Sequence, residues 1–177
     1  MDRLNRQLLI LITITMLSAP CAFSLSDTAS NRVTIRVPSY LFIEADQKDV
    51  NLLFSDYRSG SESNTETVSY RVMGNSLGQS DGAPVVTAKL DGDFPNIDFQ
   101  VRMGNYTKDG GNTELGPVSS NFISLNESET PIAKKNNSVG DGKVLKGQMA
   151  VDYKAVAKNS LIAGEYTKQL TLTFTDI

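Results

Sequence analysis

Ala163-Gly164-Glu165-Tyr166-Thr167-Lys168-Gln169-Leu170-Thr171-Leu172-Thr173-Phe174-Thr175 is the stretch that decides the fold. Leu170, Leu172 and Phe174 alternate with threonines, a period of two that sets the apolar residues on one face of a strand. β-Branched Thr and aromatic Phe suit a pleated, half-buried surface. Gly164 ahead of Tyr166 marks a loop turning into that strand. With no further strand after it, the expectation is an apolar face and a free edge that something else must cover.

Working outward, the same alternation recurs. Val33, Ile35 and Val37 share one face of 33–37, and Pro38, which cannot donate to a ladder, ends the run. Strand patterns follow at 40–45, 68–73 and 85–90, the last after a turn at Ser80-Asp81-Gly82. The segment 97–103 is apolar at every odd position, and Asp109-Gly110-Gly111-Asn112 supplies residues suited to a tight turn. A strand is expected within 118–125, a long polar loop over 128–142, and a strand over 143–153 with Met149, Val151 and Tyr153 on one face. Residues 50–54 form a short apolar run, 59–67 a polar loop, and 155–163 one helical turn or an irregular link. No segment sustains a helical period. The pattern predicts an all-β, antiparallel immunoglobulin-like β-sandwich.

The chain has 177 residues, 40% hydrophobic, with a formal charge of −3, which suits one domain with a real core. Weak acidity argues against a nucleic-acid partner, which requires a basic face. Arg3 and Arg6 precede an apolar run over 8–17 of h-region length, short of the roughly 20 residues a membrane span needs. We read 1–22 as a signal peptide, with cleavage as late as residue 24. Residues 23–38 then form an N-terminal leader and candidate donor strand, and 39–177 the sandwich domain. The only cysteine, Cys21, leaves with the signal, so no disulfide is expected.

Histidine is absent, which removes the usual general base and a common metal ligand. Gly74-Asn75-Ser76-Leu77-Gly78 matches a nucleophile elbow, yet it has no base and no following helix pattern, so it reads as a loop after a strand. Asp91, Asp93, Asn96 and Asp98 miss the calcium-loop spacing and read as a turn. Glu62 with Glu66, and Glu127 with Glu129, lie in polar loops with no apolar wall to raise a carboxyl pKa. No enzyme activity, cofactor or metal is expected.

Two features remain and belong together: the alternating 33–37 near the mature N-terminus and the alternating terminal strand. A sandwich with a vacancy beside its last strand accepts an extended segment, through main-chain hydrogen bonds and side chains in pockets. If the segment comes from the next molecule, the contact is head-to-tail and builds a fibre. Asn31-Arg32-Val33-Thr34-Ile35-Arg36-Val37-Pro38, the following Leu41-Phe42-Ile43, Val68-Ser69-Tyr70-Arg71-Val72-Met73, and Ala163-Gly164-Glu165-Tyr166 leading into Leu170 to Phe174 carry a resemblance. On these residues the chain resembles pilins of the chaperone–usher route, especially cysteine-free major pilins of the alpha (colonisation-factor) type. Its leader over 25–31 and its Asp176-Ile177 ending depart from that pattern.

The resemblance implies an incomplete sandwich completed by a donor strand, with Val33, Ile35 and Val37 as donor residues. Tyr166, Leu170, Leu172 and Phe174 would line the acceptor groove. It implies export through the periplasm to a bacterial surface fimbria that mediates adhesion. Its partners would be identical or related subunits, a periplasmic chaperone, an outer-membrane usher and a host receptor that the sequence does not name. Two alternatives stay open: that 33–37 is the domain's own first strand, and that the protein is a self-contained secreted β-sandwich acting as a ligand-binding or adhesive module.

Overall fold

Alternation of apolar and polar residues builds nine strands among residues 32–176, which the computed structural model describes. The expected signal peptide, its cleavage site, Cys21 and the leader up to residue 31 lie outside the described residues. The chain divides after Arg36. Residues 32–36 are exposed and carry no secondary structure.

In the second unit, from Val37 onward, the strands are β1 (Leu41–Ala45), β2 (Glu66–Gly74), β3 (Pro84–Leu90), β4 (Ile97–Gly111), β5 (Glu114–Pro117), β6 (Ile123–Ser124), β7 (Thr130–Asn136), β8 (Leu145–Ala157) and β9 (Leu170–Phe174). They form two antiparallel sheets, ordered β1-β2-β8-β4-β6 and β5-β7-β3-β9. The first sheet contributes Val68, Tyr70, Val72, Phe99, Val101, Met103, Met149, Val151 and Tyr153 to the core. The second contributes Val85, Val86, Ala88, Leu90, Leu115, Ile132, Ala133 and Phe174. The protein is a β-sandwich, as the alternation predicts.

Two bulges shape β4. Met103 pairs with Val151 and Tyr106 with Met149, so β4 spends one more residue than β8 over that step. The extra residue switches the inward parity from odd (Ile97, Phe99, Val101, Met103) to even (Tyr106). A second shift follows between Lys108 and Gly110. The tight turn expected at 109–112 is therefore the end of a longer strand, with Gly110 and Gly111 at positive φ where a Cβ would be strained.

Residues 33–37 carry no secondary structure in the single chain. Three other expectations are corrected. The polar loop expected over 128–142 contains β7. Its Lys135 faces inward, 3% exposed, because its ammonium donates to the carbonyls of Leu77 and Gln79. The strand expected within 118–125 shrinks to Ile123–Ser124, since Ser119 and Asn121 close a local turn through the Ser119 hydroxyl. The link expected from residue 155 begins later, because β8 runs to Ala157.

One end of the sandwich gathers 75–83, 111–113, 137–144 and the segment around Thr175 and Asp176. There Gly78 N–H donates to Asp176 Oδ1 at 2.7 Å, Thr175 N–H to the Val85 carbonyl at 2.9 Å, and Ser138 N–H to Asp81 Oδ2 at 3.0 Å. The opposite end gathers 46–65, 91–96, 125–129 and 158–169.

Candidate functional site: the seam between β1 and β9

β1 and β9 are the edges of the two sheets on one side of the sandwich. They touch each other without pairing. Among the described residues, β1 pairs only with β2, and β9 only with β3.

The hydrogen-bond phase fixes what each edge offers. Asp91 N–H donates to the Gln169 carbonyl at 3.0 Å and Thr175 N–H to Val85 at 2.9 Å, so the odd residues of β9 form the bonded pairs with β3. Leu170, Leu172 and Phe174 therefore direct their main-chain N–H and C=O toward the other edge. Their side chains face the core: Phe174 is buried, while Leu170 and Leu172 are half-buried against it.

On β1, Asp46 N–H donates to Ser69 and Asn75 N–H to Tyr40, so the even residues bond β2. Leu41 and Ile43 then direct their main-chain groups toward the seam, and Ile43 packs on the core. Among the described residues, the two rims thus direct main-chain groups toward the seam, with the half-buried Ile43, Leu170 and Leu172 packed on the core beneath them.

Of the four expected groove residues, the structure brings together Leu170, Leu172 and Phe174. Tyr166 lies in the loop before β9, where its hydroxyl donates to the Ile162 carbonyl at 2.8 Å. The expected donor residues are the most exposed of the apolar side chains along 32–45: Val33 at 80%, Ile35 at 83% and Val37 at 76%.

Sequence reading missed Asn75, treated there only as part of a glycine-flanked loop. Its Nδ2 donates to the Pro38 carbonyl at 2.9 Å, its Oδ1 accepts from Tyr40 N–H at 2.7 Å, and its own N–H donates to the Tyr40 carbonyl at 3.1 Å. One residue therefore grips 38–40, immediately after the exposed apolar run. No local pattern in the sequence announces a grip between residues so far apart.

Other polar groups are engaged elsewhere. Glu62 meets Lys154 at 2.9 Å, Glu66 accepts from Gln47 and Asn51, and Glu129 stands 3.7 Å from Lys89. Asp91 accepts from Gln169 N–H, and Asp98 accepts from Gln100 and Ser124. On the outer face of the first sheet, Phe122 lies under two cations, 4.6 Å from the Arg102 guanidinium and 4.8 Å from Lys154 Nζ. A cavity of about 170 Å³ sits between Leu90, Phe94, Ile97, Phe99, Leu125 and Lys158. That is below the roughly 300 Å³ at which small-molecule pockets begin.

Comparison of the chain with protein-family models, curated proteins and solved structures returned no match.

Proposed function

We propose that this protein is a structural subunit of a bacterial surface fibre, a pilin that polymerises by strand exchange and supports adhesion. In this reading it is exported unfolded through the inner membrane and held by a periplasmic chaperone. An outer-membrane usher then passes it to the growing fimbria. The observation that carries the reading is a match between two parts of the chain. Val33, Ile35 and Val37 are an exposed, alternating apolar run outside any strand, and the β1–β9 seam presents main-chain groups that pair with no further strand among the described residues, above half-buried apolar side chains.

The geometry favours a definite pairing. Residues 38–40 are gripped at the end of the sandwich where β9 finishes. A neighbour stacked end to end feeds its run into the seam antiparallel to β9, with Val33, Ile35 and Val37 opposite Phe174, Leu172 and Leu170. Cross-strand partners in an antiparallel pair share a face, so all three side chains enter the floor. Burying one Val or Ile fully contributes about 1.5–3 kcal/mol. Three such residues, with new main-chain bonds, suit a contact that survives detergent.

Ile35→Asp tests this. The protein without its signal segment, residues 23–177, is expected to form SDS-resistant ladders, and the variant to lose them. Unaltered ladders refute the donor role.

A self-contained adhesive module is the second reading, favoured by the extent of the core that is already closed, with Met149, Val151 and Tyr153 fully buried. It predicts a stable monomer when residues 23–177 are expressed alone, without the signal segment.

A further inference from the structure

We propose that Asn75 is a positioning residue that keeps residues 33–37 from folding into the seam of their own molecule, leaving them free for a neighbour. This inference rests on the strand-exchange reading above.

Self-insertion would require 33–37 to turn back at 38–40 and pair with the open rim of β1. The phase of β1 limits the options. Leu41 and Ile43 offer main-chain groups to the seam, so a returning strand must place its bonded pairs on them. A two-residue loop over 39–40 would pair Pro38 with Leu41 and Arg36 with Ile43. Pro38 has no N–H to give, and Arg36 would face the core. A three-residue loop over 38–40 pairs Val37 with Leu41, Ile35 with Ile43 and Val33 with Ala45, with every apolar side chain inward. That hairpin is the one the sequence permits.

Such a loop is a turn whose third residue adopts a left-handed conformation, and that residue is Tyr40. In the structure Tyr40 instead continues the pairing of β1 with β2. Its N–H goes to Asn75 Oδ1 and its C=O receives the Asn75 N–H. Asn96 and Asn137 are the non-glycine residues at positive φ among those described, so Tyr40 is not in the left-handed conformation that loop needs. Asn75 Nδ2 also holds the Pro38 carbonyl. Three main-chain groups of the required loop are thus committed to one side chain and its own amide, and a left-handed Tyr is disfavoured in addition. A free neighbour needs no turn at 38–40, so the grip leaves exchange between molecules untouched.

The test uses the chain from residue 23 onward, without the signal segment and Cys21, carrying Val33→Cys and Ala45→Cys, refolded and then oxidised. A disulfide within one chain reports the self-inserted hairpin, and SDS-resistant ladders of the same chain without the cysteines report exchange. With Asn75 present, the intrachain disulfide should be a minor product. Asn75→Ala should raise its share about tenfold, the equivalent of losing one or two net hydrogen bonds, and lower the ladder fraction in step. Tyr40→Gly, which makes the left-handed conformation accessible without touching Asn75, should push the same way and covers the case in which Asn75→Ala fails to fold. An intrachain disulfide that neither variant changes overturns the proposal. Absence of ladders in the parent instead refutes the fibre reading, and the disulfide ratio still decides the role of Asn75.

Discussion

The phenol oxygens of Tyr70 and Tyr153 stand 2.8 Å apart inside the sandwich, joining β2 to β8 by a side-chain hydrogen bond in the core. Tyr153 is wholly buried and Tyr70 nearly so. Tyr153→Phe removes one partner and leaves the other hydroxyl unsatisfied, a loss of about 1–3 kcal/mol. Denaturant unfolding should show a lower midpoint at unchanged slope. A midpoint equal to the parent's contradicts the pairing.

The same pair sets an alkaline limit. Burial, first of all, raises both phenols above the usual value of 10.0. A raised folded-state pKa contributes stability that is fully present below the unfolded value and is lost as pH rises beyond it. Thermal stability should hold up to about pH 10 and fall above it. Tyr70→Phe, with one fewer titrating phenol, should fall less steeply, and equal slopes for the two proteins would count against this origin.

At the end of the sandwich near the Asn75 grip, the sign reverses. Hydrogen bonds from Ser138 hold the Asp81 carboxyl below its usual range, and those from Asn112 and the Lys143 amide do the same for Asp141. A depressed pKa contributes stability that is present above the unfolded value and lost as pH falls through the folded one. Both carboxylates are exposed, so the effect should be local. Amide exchange at Ser138 and Lys143 should quicken as pH drops below about 4, after correction for the intrinsic rate, while exchange at Val151 stays slow.

Gly147 lies where β4 bulges. A Cβ there would stand 2.5 Å from the Thr107 carbonyl and 2.5 Å from the Tyr106 hydroxyl. Thr107 belongs to a paired strand, so the carbonyl cannot swing away freely. Gly147→Ala should destabilise by about 1–3 kcal/mol, as overpacking does. Gly164→Ala, with open space around it, should be close to neutral. Calorimetry of the two variants side by side checks the contrast.

How far the sequence foretold this fold depends on where a strand's partners lie. β3 alternates only over Val86, Ala88 and Leu90, with Val85 buried beside Val86 at a bulge. By contrast, β2, β8 and β9 were legible because each shows its apolar face by simple alternation, and β9 also carried the idea of an open edge. β7 was not, since two adjacent apolar residues, Ile132 and Ala133, sit among lysines and Pro131. Lys135 goes inward only because distant carbonyls at Leu77 and Gln79 receive it. The length of β4 was hidden by its bulge, which reverses the parity that alternation relies on. Leu170, Leu172 and Phe174 could be read as one face. The β1 rim opposite them and the Asn75 grip arise from contacts between segments remote in sequence, which no local pattern encodes.

The reading of the seam is tested most directly by one cross-link. The chain from residue 23 onward should carry Ile35→Cys with Leu172→Cys, since Ile35 is placed opposite Leu172 in the exchanged strand. Mild oxidation of assembled material should give a ladder of disulfide-linked oligomers that survives boiling in SDS and collapses to monomer on reduction. Material that stays monomeric under the same oxidation, or closes the disulfide only within single chains, would contradict exchange between neighbours.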